Sequence, residues 1–164
     1  MVYKLHYFEG LGARVEPARI LLAYGKIPYE MVEIPFEKWP EVKSKYPNEK
    51  IPVLELDGKF VPQSIAIMRY FARKLHLLGK DDWEMAQADA FVYTIEDTIT
   101  ALMPDMLIRK IATDHQRRES RWKPLDVGRF VRSRLLETLR RFSDAVYALP
   151  GVKEYVAKRN LKTF

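Results

Sequence analysis

The chain has 164 residues and no cysteine, and 48% of its residues are hydrophobic. The missing cysteine excludes disulfides, thiolate metal sites and a cysteine nucleophile. No apolar run reaches the roughly 18 residues of a membrane span, and the N-terminal residues enter a predicted strand without a signal-peptide pattern. We therefore expect a cytoplasmic protein with no membrane partner.

The net charge of +6 is unevenly distributed along the sequence. Residues 81–105 contain no basic residue, and the excess of lysine and arginine lies after them. A basic helical region can bind nucleic acid or anionic lipid. However, aromatic residues do not alternate with the arginines as they do on a base-stacking surface. A solvated helix surface is the simpler interpretation, and we expect no nucleic-acid partner.

Strands and helices alternate in the first part of the chain. Tyr3–Phe8 and Tyr29–Ile34 are predicted strands, and Glu16–Tyr24 between them is a predicted helix. A short irregular helix is predicted over residues 36–45.

A predicted hairpin follows this irregular helix. The apolar run from Ile51 meets an Asp-Gly turn at residues 57–58, and a second strand covers residues 59–61. Ser64 is the predicted N-cap of a helix that extends to residue 75. The order βαβ, α, ββα is thioredoxin-like, which predicts an α/β domain.

The hairpin and the following helix suggest a binding site. A helix N-terminus favours a bound anion, and Pro52 at the start of a strand indicates a special edge geometry. Together they predict an extended, acidic, peptide-like ligand. An ordinary hairpin before an ordinary helix explains the same residues, so from pattern alone both interpretations stay open.

The remainder of the chain is predicted to be helical. Asp82 is the predicted cap of a helix over residues 83–103 that ends at Pro104. Further helices are predicted over residues 127–149 and 152–159. The three histidines are scattered along the chain, so no metal site is expected.

Four motifs in the first part of the chain resemble a known family. Tyr7-Phe8 ends the first strand, residues 39–43 read Trp-Pro-Glu-Val-Lys, and residues 50–54 read Lys-Ile-Pro-Val-Leu. Residues 63–70 read Gln-Ser-Ile-Ala-Ile-Met-Arg-Tyr. At this spacing the motifs resemble the N-terminal domain of glutathione transferases, and above all the sigma class with its nematode and prostaglandin-synthase-like members.

The resemblance implies a particular domain organisation. It places a thioredoxin-like glutathione-binding domain at residues 1–78 and an all-helical C-terminal domain at residues 82–164. Compared with the family, the second domain lacks roughly two helices, about 40 residues at typical element lengths, between residues 120 and 150.

The resemblance also implies catalytic roles for Tyr7 and Arg14. A phenol is protonated at neutral pH and can donate a hydrogen bond to the thiolate of glutathione, which lowers the pKa of the thiol. Arg14 would supply a positive charge near that thiolate. From the residues alone, a half-buried strand tyrosine remains the simpler interpretation of Tyr7.

Further residues match the family's glutathione-binding positions. A cis peptide is expected at Ile51–Pro52, with the backbone of Ile51 pairing with the cysteinyl part of the ligand. The other implied contacts are Gln63 and Ser64 with the γ-glutamyl end, Trp39, Lys43 and Lys50 with the glycyl end, and Asp97 with the ligand of a partner subunit. Plain surface charge would also explain the lysines, and an exposed helix carboxylate would explain Asp97.

The implied function is conjugation of glutathione, as co-substrate, to small apolar electrophiles by a homodimeric detoxification enzyme. One alternative is isomerisation of a prostaglandin endoperoxide at the same tyrosine. A second is a non-catalytic binding or scaffold protein.

Three departures weaken the transfer of the family's residue roles to this chain, and two of them, Leu11 and Glu49, favour the non-catalytic alternative together with the shortened helical domain. Leu11 replaces the first residue of an Arg-Gly-Arg-like run, and one extra residue precedes Glu16. Asn48-Glu49 replaces a Phe-Gly-like pair and adds a negative charge beside the peptide-binding edge.

Overall fold

The computed structural model describes residues 2–114 and 144–158, with the side chains of 98, 99 and 101–114 left out. The chain divides into two compact units. In the described part, one unit contains residues 2–78 and 144–158, and the other contains residues 79–114.

The first unit is built on a four-stranded sheet with the order β2-β1-β3-β4. Its strands are β1 (Tyr3–Phe8), β2 (Tyr29–Ile34), β3 (Val53–Leu56) and β4 (Lys59–Pro62). β1 pairs in parallel with β2 and antiparallel with β3, and β3 forms a hairpin with β4. The four predicted strands are confirmed, and β4 is one residue longer than predicted.

Three helices belong to the first 78 residues. They are α1 (Glu16–Tyr24), α2 (Trp39–Val42) and α3 (Ser64–Lys74). Single 3₁₀ turns flank α2 on both sides, which confirms the predicted irregular helix. The order of these elements confirms the thioredoxin-like fold.

The predicted N-cap of α3 is wrong by one residue. The helix begins at Ser64, and Gln63 occupies the N-cap with a φ of 77° and no side-chain cap hydrogen bond. The left-handed backbone at Gln63 turns the chain into the helix, so Ser64 becomes the first helical residue and its hydroxyl is not used as a cap.

The main core lies between β1 and helices α1 and α3. Alternate residues of β1, including Leu5 and Tyr7, pack with Leu22 of α1 and with Ile67 and Phe71 of α3. The two buried α3 residues lie one helical turn apart, so this stripe fixes which face of the helix meets the sheet.

The described part of the second unit contains one long helix, α4 (Asp82–Asp114). It differs from the prediction at both ends. The capping side chain is Asp81 and not Asp82, because Asp81 Oδ1 accepts a hydrogen bond from the Glu84 backbone N–H at 2.8 Å. The helix also continues past Pro104: an internal proline costs about 3 kcal/mol, which the hydrogen bonds of the turns on both sides can offset.

The last described helix, α5 (Val152–Lys158), confirms the final predicted helix and packs against α1 in the first unit. The Tyr155 hydroxyl donates to Glu16 Oε2 at 2.9 Å, and the Arg19 guanidinium lies 5.7 Å from the centre of the Tyr155 ring. Residues 144–148 are helical as predicted. The rest of the helix predicted over 127–149, and most of the region where two helices are predicted to be missing, lie outside the described residues.

Candidate functional site

The first unit contains a cavity of about 370 Å³ between the end of β1, the segment around α2, the start of β3 and the start of α3. Its walls combine aromatic rings, prolines and charged side chains. The lining residues are Phe8, Arg14, Trp39, Glu49, Lys50, Ile51, Pro52, Pro62, Gln63 and Ser64.

Most of the residues predicted for the site line this cavity: Arg14, Trp39, Lys50, Ile51, Pro52, Gln63 and Ser64. Three others do not. Tyr7 is buried next to the lining residue Phe8, Lys43 lies on the 3₁₀ turn after α2, and Asp97 is exposed on α4 in the other unit.

The N-terminus of α3 forms one wall of the cavity. Ser64 is the first residue of the helix, and the carbonyl of Gln63 accepts the first intrahelical hydrogen bond from the Ile67 N–H at 3.0 Å. The backbone N–H groups of the first turn have no partner within the helix, and the helix dipole is positive at this end. This wall therefore suits a negatively charged group.

A second part of the wall is extended backbone leading into β3. The Ile51–Pro52 peptide bond is cis, as predicted. Pro52 is buried and Ile51 is half-buried at the cavity. Lys50, immediately before them, adds a positive charge to the same wall.

Tyr7 lies at the C-terminal end of β1 and is only 6% exposed. Burial raises the pKa of Tyr7, while a hydrogen bond with the Arg14 backbone and the Arg14 charge act in the opposite direction. The net direction is upward, so the phenol keeps its proton at neutral pH. Tyr7 can thus act as a hydrogen-bond donor close to Arg14, which lines the cavity.

An aromatic layer holds the α2 segment against the face of the sheet that does not pack on α1 and α3. The ring centre of Phe8 lies 5.1 Å from Phe36 and 5.5 Å from Trp39, and Trp39 lies 5.7 Å from Tyr46. Such tilted and edge-on contacts fix the orientation of rings. The layer therefore positions Trp39, which lines the cavity.

A buried histidine anchors the far end of this layer. His6 Nε2 lies 2.8 Å from Glu55 Oε2, and His6 Nδ1 lies 3.1 Å from the Tyr46 hydroxyl. His6, Tyr46 and Glu55 are residues next to the site that the sequence patterns did not predict. The available signal was the alternation in β1, which places Lys4, His6 and Phe8 together on the face opposite Tyr7.

Glu49 lines the cavity and forms an ion pair with a predicted site residue. Its Oε2 atom lies 3.2 Å from Lys43 Nζ. Asn48 and Glu49 have positive φ angles of 57° and 49°, which orient the turn between α2 and β3. The predicted negative charge beside the edge is therefore present, and it is directed to Lys43.

Taken together, the cavity offers a helix N-terminus at one wall, extended backbone at another, and cations with a protonated phenol nearby. This set suits an extended anionic peptide. Among the described residues, no group of three or more histidines and carboxylates could hold a metal ion. None of the helices in the described ranges has the length and apolar character needed to cross a membrane.

Comparison with known proteins agrees with this description. Residues 3–73 match the model of the family described as "Glutathione S-transferase, N-terminal domain". The chain is 42% identical to a glutathione S-transferase of Anopheles gambiae over 113 residues, which are 66% of this chain and 55% of that protein. It is 46% identical over 95 residues to a hematopoietic prostaglandin D synthase of Gallus gallus, covering 58% of this chain and 47% of the relative. The chain thus spans about half the length of the curated relatives it matches.

A solved structure shares the fold. The crystal structure of the glutathione S-transferase from Ascaris lumbricoides superposes with a TM-score of 0.79 at 25% identity, over 99% of each chain. The α/β part of this chain thus has the fold of the corresponding part of a glutathione S-transferase. The similarity to glutathione S-transferases is carried by residues 3–73, which match the N-terminal domain of that family.

Proposed function

We propose that this chain binds glutathione in the cavity and conjugates it to small apolar electrophiles. The observation that carries the proposal is that the N-terminus of α3 at Ser64 and the extended backbone at Ile51 face one cavity in a glutathione S-transferase N-terminal domain. The first suits a carboxylate, and the second suits a peptide backbone.

Glutathione would lie across the cavity in an extended form. Gln63 and Ser64 hold its γ-glutamyl end, the backbone of Ile51 beside Pro52 pairs with its cysteinyl part, and Trp39 and Lys50 meet its glycyl end. Lys43 and, in a homodimer, Asp97 of a second copy complete the proposed set.

Tyr7 would stabilise the glutathione thiolate. Because burial raises its pKa, the phenol remains a donor at neutral pH, and a hydrogen bond to the thiolate lowers the pKa of the thiol. The positive charge of Arg14 acts in the same direction. The population of the nucleophile rises, and it attacks the electrophilic carbon while the leaving group departs with the electron pair of its bond.

Two other functions use the same fold. Similarity to hematopoietic prostaglandin D synthases favours isomerisation of a prostaglandin endoperoxide with the same thiolate. Leu11 and Glu49 favour a non-catalytic binding protein.

The proposal also includes a sigma-like class, a cytoplasmic location, a homodimer and a detoxification role, as in the resemblance described above.

The test uses the full chain in two measurements. Retention on immobilised glutathione reports binding, and turnover of an activated chloronitroarene reports conjugation. We expect both retention and saturable turnover. If the chain is retained but turns over neither this electrophile nor a prostaglandin endoperoxide, the result supports a non-catalytic binding protein. If the chain is not retained on a resin that carries micromolar immobilised glutathione, the result contradicts the proposal.

A further inference from the structure

The turn that carries Glu49 is fixed by its backbone. Glu49 donates its N–H to the Tyr46 carbonyl at 3.0 Å, and Lys50 donates to the Pro47 carbonyl at 3.3 Å. Glu49 has a positive φ angle, which residues other than glycine adopt only rarely. The local backbone therefore places its side chain at the cavity wall, where the carboxylate meets Lys43.

We propose that Glu49 is a specificity-determining residue that occupies Lys43 with an internal carboxylate and so disfavours a free glycyl carboxylate in the ligand. This inference rests on the proposed function and deepens it. The favoured ligand class is a γ-glutamyl-cysteinyl peptide whose C-terminal carboxyl is neutral, such as an ester or an amide.

The reason lies in two charges, that of Glu49, which lines the cavity, and that of Lys43, which lies on the turn after α2. Lys43 is one of the two lysines proposed for the glycyl carboxylate, and its Nζ lies 3.2 Å from Glu49 Oε2. An incoming carboxylate must displace Glu49 from Lys43 or bind beside a like charge. A neutral ester does neither, while the contacts proposed for Ile51 and Ser64 remain the same for both ligands.

Solvent limits the size of the effect. The side chains of Lys43 and Glu49 are 46% and 55% exposed, so water and salt screen their interaction. Exposed pairs of this kind change an equilibrium constant by roughly two- to fivefold. We expect differences in dissociation constants of that order, which are largest at low ionic strength.

The test compares two probes, glutathione and its glycyl monoethyl ester, by titration calorimetry at low salt. The variants are Glu49→Gln, Lys43→Gln, the two combined and, as a matched control, Glu41→Gln. Glu41 is an exposed glutamate of α2 that does not line the cavity, so its substitution removes the same charge from the same segment.

The wild-type chain and Glu41→Gln should bind the ester at least as tightly as glutathione. Glu49→Gln should tighten glutathione binding roughly two- to fivefold and leave the ester unchanged. Lys43→Gln should weaken glutathione binding more in the Glu49→Gln background than in the wild-type chain.

An unchanged glutathione-to-ester ratio in Glu49→Gln overturns the inference while the proposed function stands, since both probes still bind. Equal tightening of both probes also overturns it. If the wild-type chain binds neither probe, the proposed function fails, and the inference fails with it.

Discussion

The Nδ1 atom of His6 lies 3.1 Å from the hydroxyl oxygen of Tyr46, and this contact joins the central strand to the turn before Glu49. Burial and then the negative charge of Glu55 raise the pKa of Tyr46, so its hydroxyl stays protonated. A tyrosine hydroxyl can donate to a ring nitrogen or accept from it, so the contact does not depend on which nitrogen of His6 carries a proton.

Tyr46→Phe should therefore destabilise the chain. The substitution keeps the ring contacts with Trp39 and Phe60 but leaves His6 Nδ1 without this partner. A lost hydrogen bond of this kind costs about 0.5–1.5 kcal/mol. Thermal unfolding followed by circular dichroism measures the effect, with Tyr24→Phe on the exposed face of α1 as the control. Equal melting temperatures for the two variants would show that the contact adds no stability.

A second prediction concerns Tyr7→Phe. If the hydroxyl donates to the thiolate, its loss removes a hydrogen bond to a charged group, which contributes about 1.5–3 kcal/mol. We expect kcat/KM to fall roughly ten- to a hundredfold, with a smaller change in glutathione affinity, because the bond is stronger to the thiolate than to the thiol. Stopped-flow spectrophotometry of bound thiolate should show a higher thiol pKa. Wild-type turnover in the variant would remove Tyr7 from the mechanism.

Ser64→Ala tests the helix N-terminus. Gln63 and not Ser64 occupies the N-cap, so the substitution should change stability by less than about 0.5 kcal/mol. Loss of a hydrogen bond to the ligand carboxylate should nevertheless weaken glutathione binding by about 1.5–3 kcal/mol. Calorimetry measures the affinity, and Ser44→Ala on the exposed turn after α2 is the control. Identical affinities in both variants would exclude Ser64 from the site.

The fold was largely predictable because its signals are local. The alternation in β1 and the Asp57-Gly58 turn each identify an element without knowledge of its partners. The prediction that the helix ends at Pro104 was wrong because it considered a single residue. The length of α4 depends on the hydrogen bonds of all the turns around that proline. The contact of α5 with α1 was also beyond such rules, because it joins residues far apart in sequence.

The site was predictable to the extent that its residues belong to contiguous motifs. Lys50 to Pro52 and Gln63-Ser64 belong to motifs that resemble the glutathione transferase family, and they meet in one cavity. The contacts of His6 with Tyr46 and Glu55 were not predicted from the sequence. They depend on the register between β1 and β3 and on the path of the α2 segment.

The contact of α5 with α1 predicts a dependence of stability on pH. Burial, and then the negative charge of Glu16, raise the pKa of Tyr155 well above its ordinary value near 10. Above about pH 10 the unfolded chain releases the phenolic proton while the folded chain retains it. The unfolded state then binds fewer protons, so the free energy of unfolding falls as the pH rises.

Tyr155→Phe should remove the part of the fall in the free energy of unfolding at alkaline pH that comes from Tyr155. At neutral pH the variant should be less stable than the wild-type chain, because the hydrogen bond to Glu16 is gone. Between about pH 10 and 11.5 the difference should narrow. Urea unfolding at several pH values measures it, with Tyr24→Phe as the control. A constant difference across this range would mean that Tyr155 ionises in the folded chain as it does in the unfolded one.

The two glycines Gly151 and Gly58 allow a matched test of the same helix contact. Both have positive φ, 81° and 74°, so alanine at either position carries a similar backbone strain of about 1–2 kcal/mol. Their surroundings differ. A Cβ at Gly151 would lie 2.5 Å from the Ala23 carbonyl oxygen in α1, whereas a Cβ at Gly58 meets nothing within 4 Å.

Gly151→Ala should thus be the more destabilising of the two substitutions. Because the atom it meets is backbone, α5 must move away from α1, which adds the cost of overpacking, about 1–3 kcal/mol. The Tyr155–Glu16 hydrogen bond should weaken with it, so the alkaline loss of stability should also shrink in Gly151→Ala and persist in Gly58→Ala. Urea unfolding of both variants at pH 7 and pH 10.5 measures the two effects together. Equal destabilisation by the two alanines would mean that α5 does not pack on α1 in solution as it does in the structure.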